Sequence, residues 1–155
     1  MEKNKEAAED KEIRFMLVGK STAGKTTLCQ KINNEELKYY KTQTVHIINK
    51  NMIDTPGEYF ERPRLRGTLT VTAVDADIIL FVQDATDRET MFPPQFKSMF
   101  SKPCIGVVTK ADLADEKQIE QAKKYLKAAG AGDIYVTSAY TGEGVEKLVK
   151  DLHIL

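Results

Sequence analysis

The chain has no tryptophan, and only two cysteines and two histidines in 155 residues. Cys29 and Cys104 have no CxxC neighbour, which excludes a disulfide framework and a thiolate zinc site. Cys29 falls in a predicted helix and Cys104 in a predicted strand, so both are expected as buried, reduced thiols. His46 and His153 lack ligand spacing and read as structural or solvent-facing. Neither sign of charge is in excess, with 23 Lys+Arg against 23 Asp+Glu. A neutral chain offers no electrostatic case for nucleic acid or an anionic membrane. No run approaches the ~18 apolar residues of a membrane span. Met1 to Glu12 are almost all charge and alanine, without the apolar centre of a secretory signal or the stripe of a targeting peptide. The expectation is a cytoplasmic protein: a charged tail over 1–12 and one domain over 13–155.

What the chain does have is Gly19-Lys20-Ser21-Thr22-Ala23-Gly24-Lys25-Thr26. Glycine, four residues, then Gly-Lys-Ser/Thr is a phosphate-binding pattern. Ile13 to Val18 before it read as a buried strand, and Thr27 to Ile32 after it as a helix with Leu28 and Ile32 on one face. That context makes the pattern specific. Gly19 and Gly24 let the backbone curl so that successive N–H groups face one anion, and the helix start at Thr27 adds its partial positive charge. Lys25 is placed to meet the β- and γ-phosphates, and Thr26 to ligate Mg²⁺.

A second element follows one hairpin later. Thr44 to Ile48 and Met52 to Asp54 read as strands, joined by a turn at Asn49-Lys50-Asn51. Asn33-Asn34 is expected to end the first helix, with a polar stretch from Glu35 to Gln43. In Asp54-Thr55-Pro56-Gly57-Glu58, Asp54 is a carboxylate for Mg²⁺ held through water. Gly57 offers a mobile N–H that can sense a terminal phosphate. Residues 59–75 read as a basic loop running into a helical stretch. Asp77 to Val82 is an apolar run expected for a central parallel strand, with a loop from Gln83 to Arg88. Phe92, Phe96, Met99 and Phe100 suggest a helix with proline in its first turn, facing the core. The alternative is a partner surface built on Phe92 and the two prolines. Cys104 to Val108 is another buried strand. A helix then starts at Asp115, with Gln118 at capping-box spacing and Ile119, Ala122, Leu126 and Ala129 inward. Ile134 to Val136 is the last strand, and Val145, Leu148, Val149 and Leu152 line the last helix.

The alternation implies an α/β doubly wound fold, six-stranded and mostly parallel with one antiparallel edge strand, its ligand crevice at the carboxyl ends of the strands. At one such end stands Thr109-Lys110-Ala111-Asp112. The Asp112 carboxylate can accept from both N1–H and N2–H₂ of guanine, whereas adenine has no such donor pair on that edge. Such a mismatch costs on the order of 2–4 kcal/mol. The Lys110 stem can cover the base, and the Ala139 N–H after Ser138 would meet guanine O6. These residues select GTP/GDP over ATP.

Taken together, GKSTAGKT, DTPGEY, TKAD and TSA resemble the small Ras-like GTPases. YKTQ, IDTPGEY, MFPPQF and IGVVTKADL are similar to the EutP/PduV family of ethanolamine and propanediol utilisation. That resemblance covers roughly residues 13–152. It implies a three-layer P-loop GTPase fold and a cytosolic bacterial protein tied to microcompartment metabolism, with a shell or other protein as partner. It also implies that Thr42, or its competitor Thr44, is the threonine of the first switch that meets Mg²⁺, and that Glu58 orients the attacking water. Four positions depart from the Ras pattern. Thr109 stands where asparagine is usual, Glu58 where Ras has glutamine, and Ser21-Thr22 where Ras has small glycines. Thr109 weakens one hydrogen bond at the base, the negative charge of Glu58 near the γ-phosphate makes slow hydrolysis the expected consequence, and the Ser21 and Thr22 side chains crowd the space where an activator's arginine would enter. The rival expectations are an ATP-dependent small-molecule kinase acting on acetate and a scaffold that holds nucleotide without turnover.

Overall fold

A computed structural model describes residues 13–40 and 52–154. The expected tail, the strand over 44–48, the turn after it, and Thr42, Thr44 and His46 lie outside the described residues. Five strands form one sheet: β1 (Phe15–Val18), β2 (Met52–Asp54), β3 (Ile78–Asp84), β4 (Cys104–Thr109) and β5 (Ile134–Val136). Their order is β2-β1-β3-β4-β5, and each neighbouring pair is parallel. Among the described residues the sheet therefore has five strands rather than six and no antiparallel edge; the residues assigned to that edge fall outside them. β1, β3 and β4 are buried along their whole length, as strands covered on both faces must be.

Alternation along β1 divides the core. Met16 and Val18 face one layer with Phe60, Leu69, Phe81, Phe92, Phe96 and Leu126. Phe15 and Leu17 face the other with Leu28, Ile32, Leu80, Leu148 and Leu152. The second layer is built by α1 (Lys25–Tyr40) and α5 (Val145–Ile154). The first is built by α2 (Gly57–Glu61), α3 (Arg66–Thr72) and α4 (Glu116–Ala128). α4 starts as expected: Asp115 Oδ1 accepts from Gln118 N at 2.8 Å, and Gln118 Oε1 accepts from Asp115 N at 2.9 Å.

Two expected elements differ. α1 runs through Asn33-Asn34 to Tyr40, because asparagine costs a helix interior only about 0.7 kcal/mol or less and the helix formers Glu35, Glu36, Leu37 and Lys38 follow. The segment after Pro93-Pro94 is not an α-helix but a single 3₁₀ turn, Phe96–Met99, entered through Gln95 at φ 61°. Its backbone bonds elsewhere: Gln95 N–H and Lys97 N–H each donate at 2.8 Å to Ala128 and Ala129 at the end of α4. The aromatic cluster is core, as expected. Phe92, Phe96 and Phe100 are at most 8 % exposed, and the Phe81 ring lies 5.2 Å from that of Phe92 and 5.3 Å from that of Phe96. Burial leaves Phe92 unavailable as the anchor of a partner surface. Cys104 is buried but Cys29 only half-buried; burial pushes their thiols up to about 11 and about 12 respectively, so neither is a thiolate at neutral pH.

The strand order places the site. From β1 the chain crosses to β2 on one side and then to β3 on the other. The crevice at such a reversal opens at the carboxyl ends of β1 and β3, where Gly19–Thr26 begins.

Candidate nucleotide-binding site

The loop between β1 and α1 is closed by its own backbone. Ala23 N–H donates to Lys20 O at 3.0 Å, and Leu28 N–H to Gly24 O at 2.9 Å. Gly24 sits at φ +88°, a conformation a side chain strains. Lys25 is only 4 % exposed, and its Nζ donates to Gly19 O at 2.8 Å and Lys20 O at 2.7 Å. Burial holds the Lys25 pKa below the ordinary lysine value. Lys20 reaches sideways instead, to Asp87 at 2.8 Å, a hydrogen bond that raises its pKa.

β2 delivers Asp54 beside α1: Thr26 Oγ1 donates to Asp54 Oδ2 at 2.7 Å. A hydroxyl and a carboxylate in contact, both oxygen donors, suit Mg²⁺, which takes one or two protein oxygens and completes its shell with phosphate and water. Among the described residues there is no cluster of three His, Cys, Asp or Glu side chains that could hold a metal alone. Thr55 Oγ1 donates to Leu17 O at 2.7 Å, which ties the ends of β1 and β2 together.

Gly57 opens α2 directly against the phosphate loop. A Cβ built on it would lie 2.4 Å from Ser21 N, so only glycine permits this approach. Glu58, the expected water-orienting residue, is exposed in the first turn of α2. The carboxylate that α2 brings to the loop is Glu61. Its Oε1 accepts from Ser21 N at 2.7 Å and from Ser21 Oγ.

The base end is built from β4 and β5. Thr109 Oγ1 donates to Ala23 O at 2.6 Å, so the threonine ties β4 to the phosphate loop. Lys110, at φ 60°, donates from Nζ to Thr22 O and to Asp84 Oδ2, each at 2.9 Å. Its stem thus bridges the end of β4 and the phosphate loop. Thr137 N–H donates to Val108 O at 2.8 Å and Ala111 N–H to Thr137 O at 3.1 Å, which draws the two strand ends together. Ser138, fully buried, donates from Oγ to Asp112 Oδ1 at 2.7 Å. A cavity of about 180 Å³ lies here, lined among others by Gly24, Leu28, Lys110, Asp112, Ala139 and Tyr140.

The structure thus gathers Gly19, Lys20, Ser21, Thr22, Ala23, Gly24, Lys25, Thr26, Asp54 and Gly57 around one loop. Thr27, Thr109, Lys110, Asp112 and Ala139 line the adjoining cavity, with Ser138 behind it. The sequence model of the family described as "Ethanolamine utilisation - propanediol utilisation" matches residues 12–154. This chain belongs to the PduV–EutP family. It is 42 % identical over 135 residues to "Propanediol utilization protein PduV" of Citrobacter freundii, covering 87 % of this chain and 89 % of that protein. It is 33 % identical over 137 residues to "Probable acetate kinase EutP" of Escherichia coli K12, covering 88 % of this chain and 86 % of the other. Among solved structures, elongation factor SelB of Methanococcus maripaludis, crystallised with the GTP analogue GppNHp, superposes with a TM-score of 0.64 at 22 % identity. The match covers 93 % of this chain and 33 % of SelB, which establishes the P-loop GTPase fold.

Asp84, Asp87 and Glu61 were not among the residues expected at the site. Asp84 ends β3 and Asp87 follows it, in a run where Asp-Ala-Thr-Asp reads as turn chemistry. Glu61 follows Glu58 at i+3, one helical turn on, and that spacing was the available signal.

Proposed function

We propose that this PduV–EutP protein binds guanine nucleotides with Mg²⁺ and hydrolyses GTP slowly, as a switch serving the microcompartments of ethanolamine or propanediol utilisation. The observation that carries the reading is Asp112. It is held by buried Ser138 beside Lys110, whose ammonium reaches back to the phosphate loop. A carboxylate so fixed is complementary to the N1–H and N2–H₂ pair of guanine, with the Ala139 N–H for O6. Lys25 and the N–H groups of 19–27 bind the phosphates. Thr26 and Asp54, with Thr42 from the first switch, would hold Mg²⁺, which supplies charge neutralisation between the phosphates. Gly57 meets the γ-phosphate, and Glu58 orients water once α2 moves. The nucleotide state is read by a protein partner, a shell component being the candidate. SelB, with GppNHp in its crystal structure, supports guanine nucleotide as the ligand.

A second reading, ATP-dependent phosphorylation of acetate, is favoured by the name of the EutP relative. Of Arg62, Arg64 and Arg66, the arginines of the basic 59–75 stretch that could bind an acceptor carboxylate, Arg66 is engaged in structure: Nε donates to Phe60 O at 2.8 Å and the guanidinium lies 5.3 Å over the Phe60 ring. Labelled GTP and ATP, each with and without acetate, separate the two. The expected result is inorganic phosphate from GTP at about 10⁻³ s⁻¹ or below, the range of unassisted GTPases, and no acyl phosphate trapped by hydroxylamine. Acyl phosphate formed from ATP and acetate faster than phosphate from GTP would establish the second reading.

A further inference from the structure

The contact between Glu61 and Ser21 joins α2 to the phosphate loop, and its chemistry is that of the site. Ser21 is the third residue of the phosphate loop. Its N–H belongs to the array that faces an anion, and here the anion is the Glu61 carboxylate, with N–H and hydroxyl donating to the same oxygen. The approach is shaped for it. Gly57, at the other end of the five-residue α2, lies so close that a Cβ would fall 2.5 Å from Ser21 Cα.

We propose that Glu61 is an internal competitor for the terminal phosphate of a nucleoside triphosphate. Its carboxylate takes the Ser21 N–H when that phosphate is absent and is displaced when it enters. A carboxylate oxygen and a phosphate oxygen accept the same hydrogen bond, and two anions cannot share one donor at this distance. A diphosphate leaves the contact undisturbed, so Glu61 biases the site toward diphosphate. The hydrogen bonds from Ser21 hold the Glu61 carboxyl below the ordinary glutamate pKa. A carboxylate so stabilised keeps its contact at neutral pH and loses it as pH falls through that depressed value. α2 ends at Glu61, and Arg62 after it is extended backbone at φ −102° ahead of Pro63, so a short lever carries the movement.

This inference rests on phosphate binding at the loop, but not on which base is bound. The test measures affinities of wild type, Glu61→Gln and Glu61→Ala for GppNHp and GDP, and for AppNHp and ADP, with Mg²⁺. Glu61→Ala is expected to tighten triphosphate binding about tenfold, the effect of one charged hydrogen bond, with diphosphate affinity within twofold and Glu61→Gln between. Glu146→Gln, an exposed change on α5, moves neither. The Ser21 amide resonance of nucleotide-free protein is expected to shift in Glu61→Ala and, in wild type, to titrate below the ordinary glutamate range. An unchanged triphosphate-to-diphosphate ratio, equal gains for both, or an unmoved Ser21 amide overturns the proposal. Adenine binding with the same change of ratio would refute the guanine reading and leave Glu61 its role. A protein that binds neither base overturns both.

Discussion

Replacing Lys25 with methionine is expected to abolish tight triphosphate binding. The side chain enters the loop from the first turn of α1, and its ammonium is buried against two loop carbonyls, Gly19 O and Lys20 O. Methionine retains the stem and removes the charge. Losing a buried, charge-assisted donor to phosphate costs about 2–5 kcal/mol, roughly thirtyfold to several thousandfold in affinity. Titration calorimetry with GppNHp reads the loss, and circular dichroism checks that the sheet is intact. Binding within threefold of wild type would place the phosphates elsewhere.

Asp112→Asn is expected to cost a comparable factor, but with a change of base preference rather than a loss of phosphate binding. The carboxylate accepts from Ser138 Oγ through one oxygen, which fixes its plane in the cavity between Lys110 and Ala139. An amide there offers NH₂ to the N2–H₂ of guanine, a donor facing a donor. GDP affinity should fall by about 2–4 kcal/mol. Xanthosine diphosphate, whose C2 oxygen accepts from that amide, should bind Asp112→Asn within about tenfold of the wild-type value for GDP, since the pairing is restored. Competition between GDP and xanthosine diphosphate on both proteins checks this. A variant that keeps GDP affinity within threefold would remove Asp112 from base recognition.

Much of this site could be read from residue order because it is local. The phosphate loop is eight consecutive residues between a strand and a helix, and Asp54 ends, while Gly57 and Asp112 follow, a short apolar strand that announces its own end. Burial of β1, β3 and β4 followed from continuous apolar runs, and the capping box of α4 from two residues three apart. What the residues alone did not disclose depends on contacts across the fold. Thr109 looked like a weakened asparagine, yet its hydroxyl holds Ala23 O across 86 positions of chain. Lys110 and Asp84 meet only because β3 and β4 are neighbours. Glu61 reaches Ser21 because Gly57 lets α2 press on the loop. The helix expected after Pro94 failed for the same reason: two of its N–H groups find α4 carbonyls instead of their own turn. The first switch, with Thr42, is the part of the proposed site that lies outside the described residues.

The central claim is guanine recognition by the Asp112 end of the crevice. Titration of the nucleotide-free, full-length protein with GDP, GTP and ATP in the presence of Mg²⁺ tests it most directly. Guanine nucleotides should bind at least about tenfold tighter than ATP, the discrimination that one unmatched base edge imposes. ATP binding as tightly as GTP would contradict the account and make phosphoryl transfer to acetate the leading reading of the same phosphate loop.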